Sequence, residues 1–188
     1  MFPINEFQYL ESPDVIEDVA GKLREILMLA DRCIRFFSGV AHWMLYSHPF
    51  IVDTLRQKKA AGIKIDFIAG PALSIWPAGE DLEERSSGVL DLAEDGIINL
   101  FYRYRLEDAS QHFVIIDDRL VLAEEPHAPL SRLLTRKVHI LKGKDICRAF
   151  QILFDDFLDS DKARLSQKPR EDFTLMSPSE IAFQISGF

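Results

Sequence analysis

His112-Phe113-Val114-Ile115-Ile116-Asp117-Asp118-Arg119-Leu120-Val121-Leu122-Ala123 holds two apolar runs divided by Asp117-Asp118. β-branched and aromatic runs separated by two turn formers predict a hairpin, with strands at 112–116 and 119–123 and a two-residue turn. Upstream the chain reads differently. Ser12-Pro13-Asp14 supplies an N-cap, a proline for the first helical position and an acid for the helix dipole. Val15, Val19, Leu23, Ile26, Leu27 and Ala30 follow at helical spacing. Cys33-Ile34-Arg35-Phe36-Phe37-Ser38-Gly39 is short, aromatic and glycine-stopped, as a buried strand is. His48-Pro49 opens a second helix that runs through Ile51, Leu55 and Ala60 to Gly62, and residues 63–68 form the next strand. A helix between two strands returns the chain to the same end of the sheet, so these strands are expected to be parallel. A third helix at 86–94 stops at Gly96 before a strand at 97–104. Parallel strands upstream and a hairpin downstream predict an α/β fold with a mixed β-sheet flanked by helices.

Residues 71–84, with two prolines, Gly79 and four acids, read as a loop over the strand ends that Trp76 packs down. A strand is expected at 133–141. A last helix starts near Lys144 and carries Ile146, Phe150, Leu153, Phe154 and Phe157 towards one sheet face. Beyond Ser160 the chain is polar until Ile181-Ala182-Phe183-Gln184-Ile185, which reads as an added strand or a partner-binding tail. The expected organisation is a lead at 1–12, a domain at 13–160 and a C-terminal extension at 161–188. The whole length, 188 residues, suits one domain, and 47% hydrophobic residues fill a core. Lys plus Arg number 22 against 30 Asp plus Glu, a net charge of −8, which argues against a general nucleic-acid or anionic-membrane binder. Two cysteines in apolar stretches, Cys33 and Cys147, exclude a disulfide scaffold and a cysteine-rich zinc module. The first residues do not read as a signal peptide and no apolar run is long enough for a transmembrane segment, so a cytoplasmic protein is expected.

The order of elements, with Gly62-Ile63-Lys64-Ile65-Asp66-Phe67 and Gly96-Ile97-Ile98-Asn99-Leu100 after the second and third helices, resembles one repeat of the phospholipase D superfamily over residues 13–159. In that family a strand carries His-x-Lys-x-x-x-x-Asp and a Gly-Ser-x-Asn run follows. Residues 113–119 resemble the middle of that pattern. Aligned on Asp117, the nucleophilic histidine falls on Ser110, the lysine on His112, and the Gly-Ser-x-Asn run on Glu124, Glu125, Pro126 and His127. The motif is therefore degenerate, keeping only its acid. The resemblance implies a single phospholipase D-like repeat. Enzymes of the family bring two motifs to one cleft, so a chain with room for one repeat is expected to homodimerise. A phosphate-containing ligand or a protein partner is implied, and no cofactor.

The candidate catalytic residues are Ser110, His112, Asp117, Glu125 and His127. Phosphoryl transfer in this family needs a histidine nucleophile, an acid for the leaving group and lysines against the transition-state charge. Ser110 is a poor nucleophile without a base, and a two-residue turn sets Glu125 opposite it, where a carboxylate repels a phosphodiester. The expectation is a non-catalytic binding or regulatory domain that homodimerises. The alternative is an atypical phosphodiesterase or nuclease using His112 and His127 in a rearranged dimeric cleft, and a third reading is a phospholipid or protein adaptor. His112, Glu125 and His127 are metal-ligand types, but their spacing matches no dedicated zinc motif, so no metal is expected. His42 and Trp43, just after the first strand, are candidates for a ligand pocket. His139 reads as structural. Arg56, Lys58, Lys59 and Lys64 read as compensation of a helix dipole, and Arg132, Arg136, Lys137, Lys142 and Lys144 as a solvated face.

Overall fold

A computed structural model describes residues 5–10, 13–38, 41–69, 72–74, 87–103, 112–125, 135–159, 163–172 and 174–176. In chain order these form β1 (Asn5–Leu10), α1 (Pro13–Leu27), β2 (Cys33–Ser38), β3 (Ala41–His42), α2 (Trp43–Tyr46), α3 (Pro49–Ala60), β4 (Lys64–Ala69), β5 (Ala72–Ser74), α4 (Ser87–Glu94), β6 (Asn99–Arg103), β7 (His112–Ile116) and β8 (Leu120–Glu124). β9 (Thr135–Lys142), α5 (Lys144–Asp159), β10 (Ala163–Leu165), α6 (Pro169–Asp172) and β11 (Thr174–Met176) complete them.

Eight strands make one sheet in the order β1-β9-β8-β7-β2-β4-β6-β10. β2, β4 and β6 run parallel, as the strand-helix-strand spacing predicts, and every other pairing in this sheet is antiparallel. The mixed α/β architecture expected from the sequence is the one found. β2 lies inside the sheet and is covered on both faces, which is why it reads as a continuous apolar run. Ile34 and Phe36 point to one layer with Phe67, Val114 and Leu122, packed by Leu23 and Leu27 of α1, Ile51 and Leu55 of α3, and Leu90 of α4. Phe37 points to the other layer, with Phe113, Ile115 and Val121 under Cys147, Phe154 and Phe157 of α5. Aromatic stacking knits both layers: the Phe36 and Phe67 ring centroids lie 5.0 Å apart, and those of Phe37 and Phe113 4.8 Å apart.

Local signals set the helix ends. Pro49 begins α3 behind His48, whose Nδ1 accepts from the Phe50 N–H at 3.3 Å. Gly62 and Gly96 follow α3 and α4 at φ +84° and +65°, a region open to glycine.

The structure departs from the sequence reading in four places. The hairpin turn has three residues, Asp117 to Arg119, because Ile116 pairs with Leu120. Asp117 adopts φ +53°, tolerated by a short polar side chain that makes local hydrogen bonds. The lead contains β1, which pairs antiparallel with β9 at the sheet edge. The stretch read as a loop at 71–84 contains β5, which lies between β3 and β11 in a separate three-stranded sheet, while Trp76 falls outside the described residues. Beyond residue 160, β10 joins β6 in the main sheet. The apolar stretch at 181–185 lies outside the described residues.

Candidate functional site

The parallel strands fix which end of the sheet carries the candidates. The carboxyl ends of β2, β4 and β6, the amino ends of β7 and β9 and the carboxyl end of β8 all lie at one end of the main sheet. Ligand sites in α/β sheets favour the carboxyl ends of parallel strands. At this end β2 closes on Ser38, β7 opens on His112 and β8 closes on Glu124.

Strand alternation decides which face each side chain takes. Ser38 shares the phase of Ile34 and Phe36, so it points to the α1–α3–α4 layer, and it is 1% exposed. Its pairing with His112 brings His112 Nδ1 to 2.8 Å from Ser38 Oγ. Tyr46 of α2 is buried at the same end of the sheet. Continuing the β7–β8 register one step past Phe113 and Ala123 puts Glu124 across from His112. His112, Glu124 and Tyr46 line one cavity of about 60 Å³ against Val19 and Leu23 of α1 and Val138 of β9. Burial pushes the Tyr46 hydroxyl well above the usual tyrosine range, the negative charge of Glu124 adds to it, and the neighbouring Ser38 hydroxyl only partly offsets them. Tyr46 is therefore a neutral phenol across the physiological range.

The three-residue turn changes the fate of the expected cluster. A two-residue turn would set Glu125 opposite Ser110; the observed register puts Glu124, not Glu125, on the His112 face. Glu125 belongs to the other face, where its Oε1 lies 2.8 Å from His139 Nε2 and 3.5 Å from Lys137 Nζ. The bond to His139 foremost holds the Glu125 carboxyl below its ordinary range. His112 and Glu125 thus do not converge as metal ligands. Among the described residues no group of three or more His, Cys, Asp and Glu is placed to hold a metal ion. Ser110 and His127 lie outside the described residues, as do the side chains of His42 and Trp43, whose backbones form the end of β3 and the start of α2.

Asp117 sits at the far end of β7, roughly 16 Å from His112 at about 3.3 Å per residue. It is 1% exposed, and its oxygens accept the N–H groups of Asp31 at 3.0 Å and of Arg32 and Cys33 at 2.9 Å. Arg119 NH2 adds a contact at 2.7 Å. Burial alone would raise this carboxyl, but the three N–H donors and Arg119 outweigh it and hold it at about 2. This acid ties the hairpin turn to the start of β2. The basic residues near α3 are dispersed: Lys58 Nζ donates to the carbonyls of Met28 at 2.6 Å and Ala30 at 2.8 Å after α1, Arg56 pairs with Asp95, and Lys64 with the buried Asp66.

Ser38 and Tyr46 were not singled out from sequence. The available signal was phase: a polar residue at the third inward position of an otherwise apolar strand. The sequence aligns Glu124 and Glu125 with the family's Gly-Ser-x-Asn run and sets Glu125 opposite Ser110, whereas the turn length decides that Glu124 takes the His112 face.

No family model matches the sequence, and no curated protein does. Solved structures do match. Nuc, a phospholipase D family member from Salmonella typhimurium, is 14% identical, covers 88% of this chain and 100% of its own, and superposes with a TM-score of 0.57. NucT from Helicobacter pylori is 12% identical over 84% of this chain and 98% of its own, with a TM-score of 0.54. TrmBL2, an archaeal chromatin protein, is 14% identical over 83% of this chain, with a TM-score of 0.52, and the match spans 52% of its length. Among the described residues no helix is long and apolar enough to cross a membrane. The strand order, the hairpin beside β2 and these superpositions together establish that the chain has a phospholipase D-like fold.

Proposed function

We propose that this chain is a non-catalytic binding or regulatory module of the phospholipase D superfamily and that it acts as a homodimer. The observation that carries the reading is the pair His112 and Glu124. The residue aligned with the family lysine is a histidine bonded to Ser38, and a carboxylate stands across the hairpin from it on the same wall of the cavity. A lysine there would present a permanent positive charge to a phosphoryl group; a carboxylate repels it, more strongly in an apolar wall than in water. The position of the family nucleophile is a serine. One scaffold serves unrelated functions, and here the matching structures include both a phospholipase D family member and a chromatin protein.

A panel of phosphodiester substrates assayed with and without divalent metals, on wild type and His112→Ala, tests the proposal. The expected result is no turnover above buffer for either. Turnover by the wild type that His112→Ala abolishes would establish the alternative, a phosphodiesterase or nuclease with a rearranged cleft. The dimer follows from the two-motif cleft of the family and has its own test: light scattering at micromolar concentration is expected to give twice the chain mass, and a strict monomer would remove it.

A further inference from the structure

We infer that two copies of this chain are held together by exchange of the C-terminal unit β10–α6–β11, each copy laying its Ala163–Leu165 strand on β6 of the other. The inference rests on the homodimer reading and names its contact. β10 is the last strand on the β6 side of the main sheet, and β11 is the last strand beside β5 in the small one. β10 meets β6 through three residue pairs, Ala163 with Arg103, Arg164 with Tyr102 and Leu165 with Phe101, and β11 meets β5 through three more. Strands at sheet edges leave without drawing another strand out of place, and these ladders are short.

The unit carries bonds of its own. Ser166 Oγ donates to Asp172 Oδ2 at 2.7 Å, the Lys168 N–H donates to the same oxygen at 3.3 Å, and Lys168 Nζ pairs with Glu171 at 2.8 Å. The N–H groups of Glu171 and Asp172 both donate to the Lys168 carbonyl at 2.9 Å. All of these lie within residues 166–172 and travel with the unit. Docking adds contacts that either copy supplies equally, among them the Ser166 N–H donating to the Leu100 carbonyl at 2.8 Å. Exchange conserves them, which makes it a low-cost route to a dimer. Three residues, 160–162, separate the end of α5 from β10, and short links of this kind favour exchange. Among the described residues the exposed large apolar side chains are Met28 and Leu29 after α1, Ile152 and Leu153 on α5, and Leu165 on β10. A stable interface buries about 1,600 Å² in total, more than such scattered side chains cover. Exchange instead turns contacts already made within one chain into contacts between two.

The test is a cysteine pair across the two strands. The Ser166–Leu100 bond, by alternation, leaves Ala163 and Arg103 as a pair without ladder bonds, where Cα atoms come close enough for a disulfide. The full chain carrying Ala163→Cys and Arg103→Cys is oxidised at micromolar concentration, sized by light scattering and run on a denaturing non-reducing gel, and its disulfides are mapped by mass spectrometry. Exchange is expected to give a species of twice the chain mass on that gel, joined through the two introduced thiols and returned to one chain mass by reductant. A light-scattering dimer that runs at one chain mass on the gel, with the introduced disulfide closed inside each chain, would overturn the exchange and leave the homodimer reading standing. Introduced thiols that stay free in such a dimer would overturn it equally. A strict monomer by light scattering would overturn the homodimer reading itself, so the two failures are separate results.

Discussion

His112 Nδ1 lies 2.8 Å from Ser38 Oγ, a bond that joins the first residue of β7 to the last residue of β2. The imidazole tautomer sets its direction: either the Ser38 hydroxyl donates to Nδ1, or Nδ1–H donates to the hydroxyl oxygen. Ser38→Ala removes this bond at a 1% exposed position and takes it from the His112 ring. A loss of about 1–3 kcal/mol is expected in urea denaturation. Equal stability of Ser38→Ala and wild type would show that the bond contributes nothing net.

Tyr46 should be silent in an alkaline titration. Burial first, and the charge of Glu124 second, push its hydroxyl above the range in which exposed tyrosines ionise. Phenolate absorbance of wild type and Tyr46→Phe is expected to coincide until the protein unfolds, after which the wild type gains one more phenolate. A difference between the two curves while the fold is intact would contradict this placement.

Asp117 gives the fold an acid limit. Its folded pKa, about 2, is depressed from the ordinary 3.8, so its stabilising contribution is present above 3.8 and is lost as pH falls from there towards 2. The contribution is about 2 kcal/mol at neutral pH, by the usual conversion of a pKa shift. Guanidinium denaturation of the wild type should therefore weaken between pH 4 and pH 2 more steeply than that of Asp117→Asn, whose stability is lower at neutral pH and flatter over the same interval. Parallel curves would assign the acid sensitivity elsewhere.

Gly88 in the first turn of α4 is expected to resist replacement. On propensity alone, alanine in a helix is favoured over glycine by about 1 kcal/mol. A Cβ at residue 88, however, would lie 2.6 Å from the Ser47 Cα and 2.8 Å from its Cβ, and backbone cannot yield as a side chain can. Overpacking of this kind costs about 1–3 kcal/mol, so Gly88→Ala should lower the melting temperature. A rise would show that α4 shifts away from Ser47 without loss.

Much of the architecture was legible because it rests on local chemistry. Pro13, Pro49, Gly62 and Gly96 mark helix boundaries through φ restraint, and the apolar run of β2 announces a strand covered on both faces. β1 and β10 were missed for the opposite reason. Each is short, lies at a sheet edge and takes its place from a partner far along the chain, so neither carries a strong pattern of its own.

The candidate site was legible only in part, and one residue in a turn explains the difference. Residue types alone placed His112 and a glutamate at the open end of the hairpin. Side chains alternate along a strand, so a single-residue change in register exchanges the faces. Asp117 at φ +53° lengthens the turn, sets Glu124 on the His112 wall of the cavity and sends Glu125 to His139 on the other face. By itself the sequence determined the order of elements, the parallel and antiparallel halves of the sheet and the replacement of the family's histidine and lysine, because propensity, spacing and residue identity are local. Only the tertiary structure decided which carboxylate faces the cavity and that Ser38 and Tyr46 join His112, because strand register and the packing of α2 are set by contacts between residues distant in the chain.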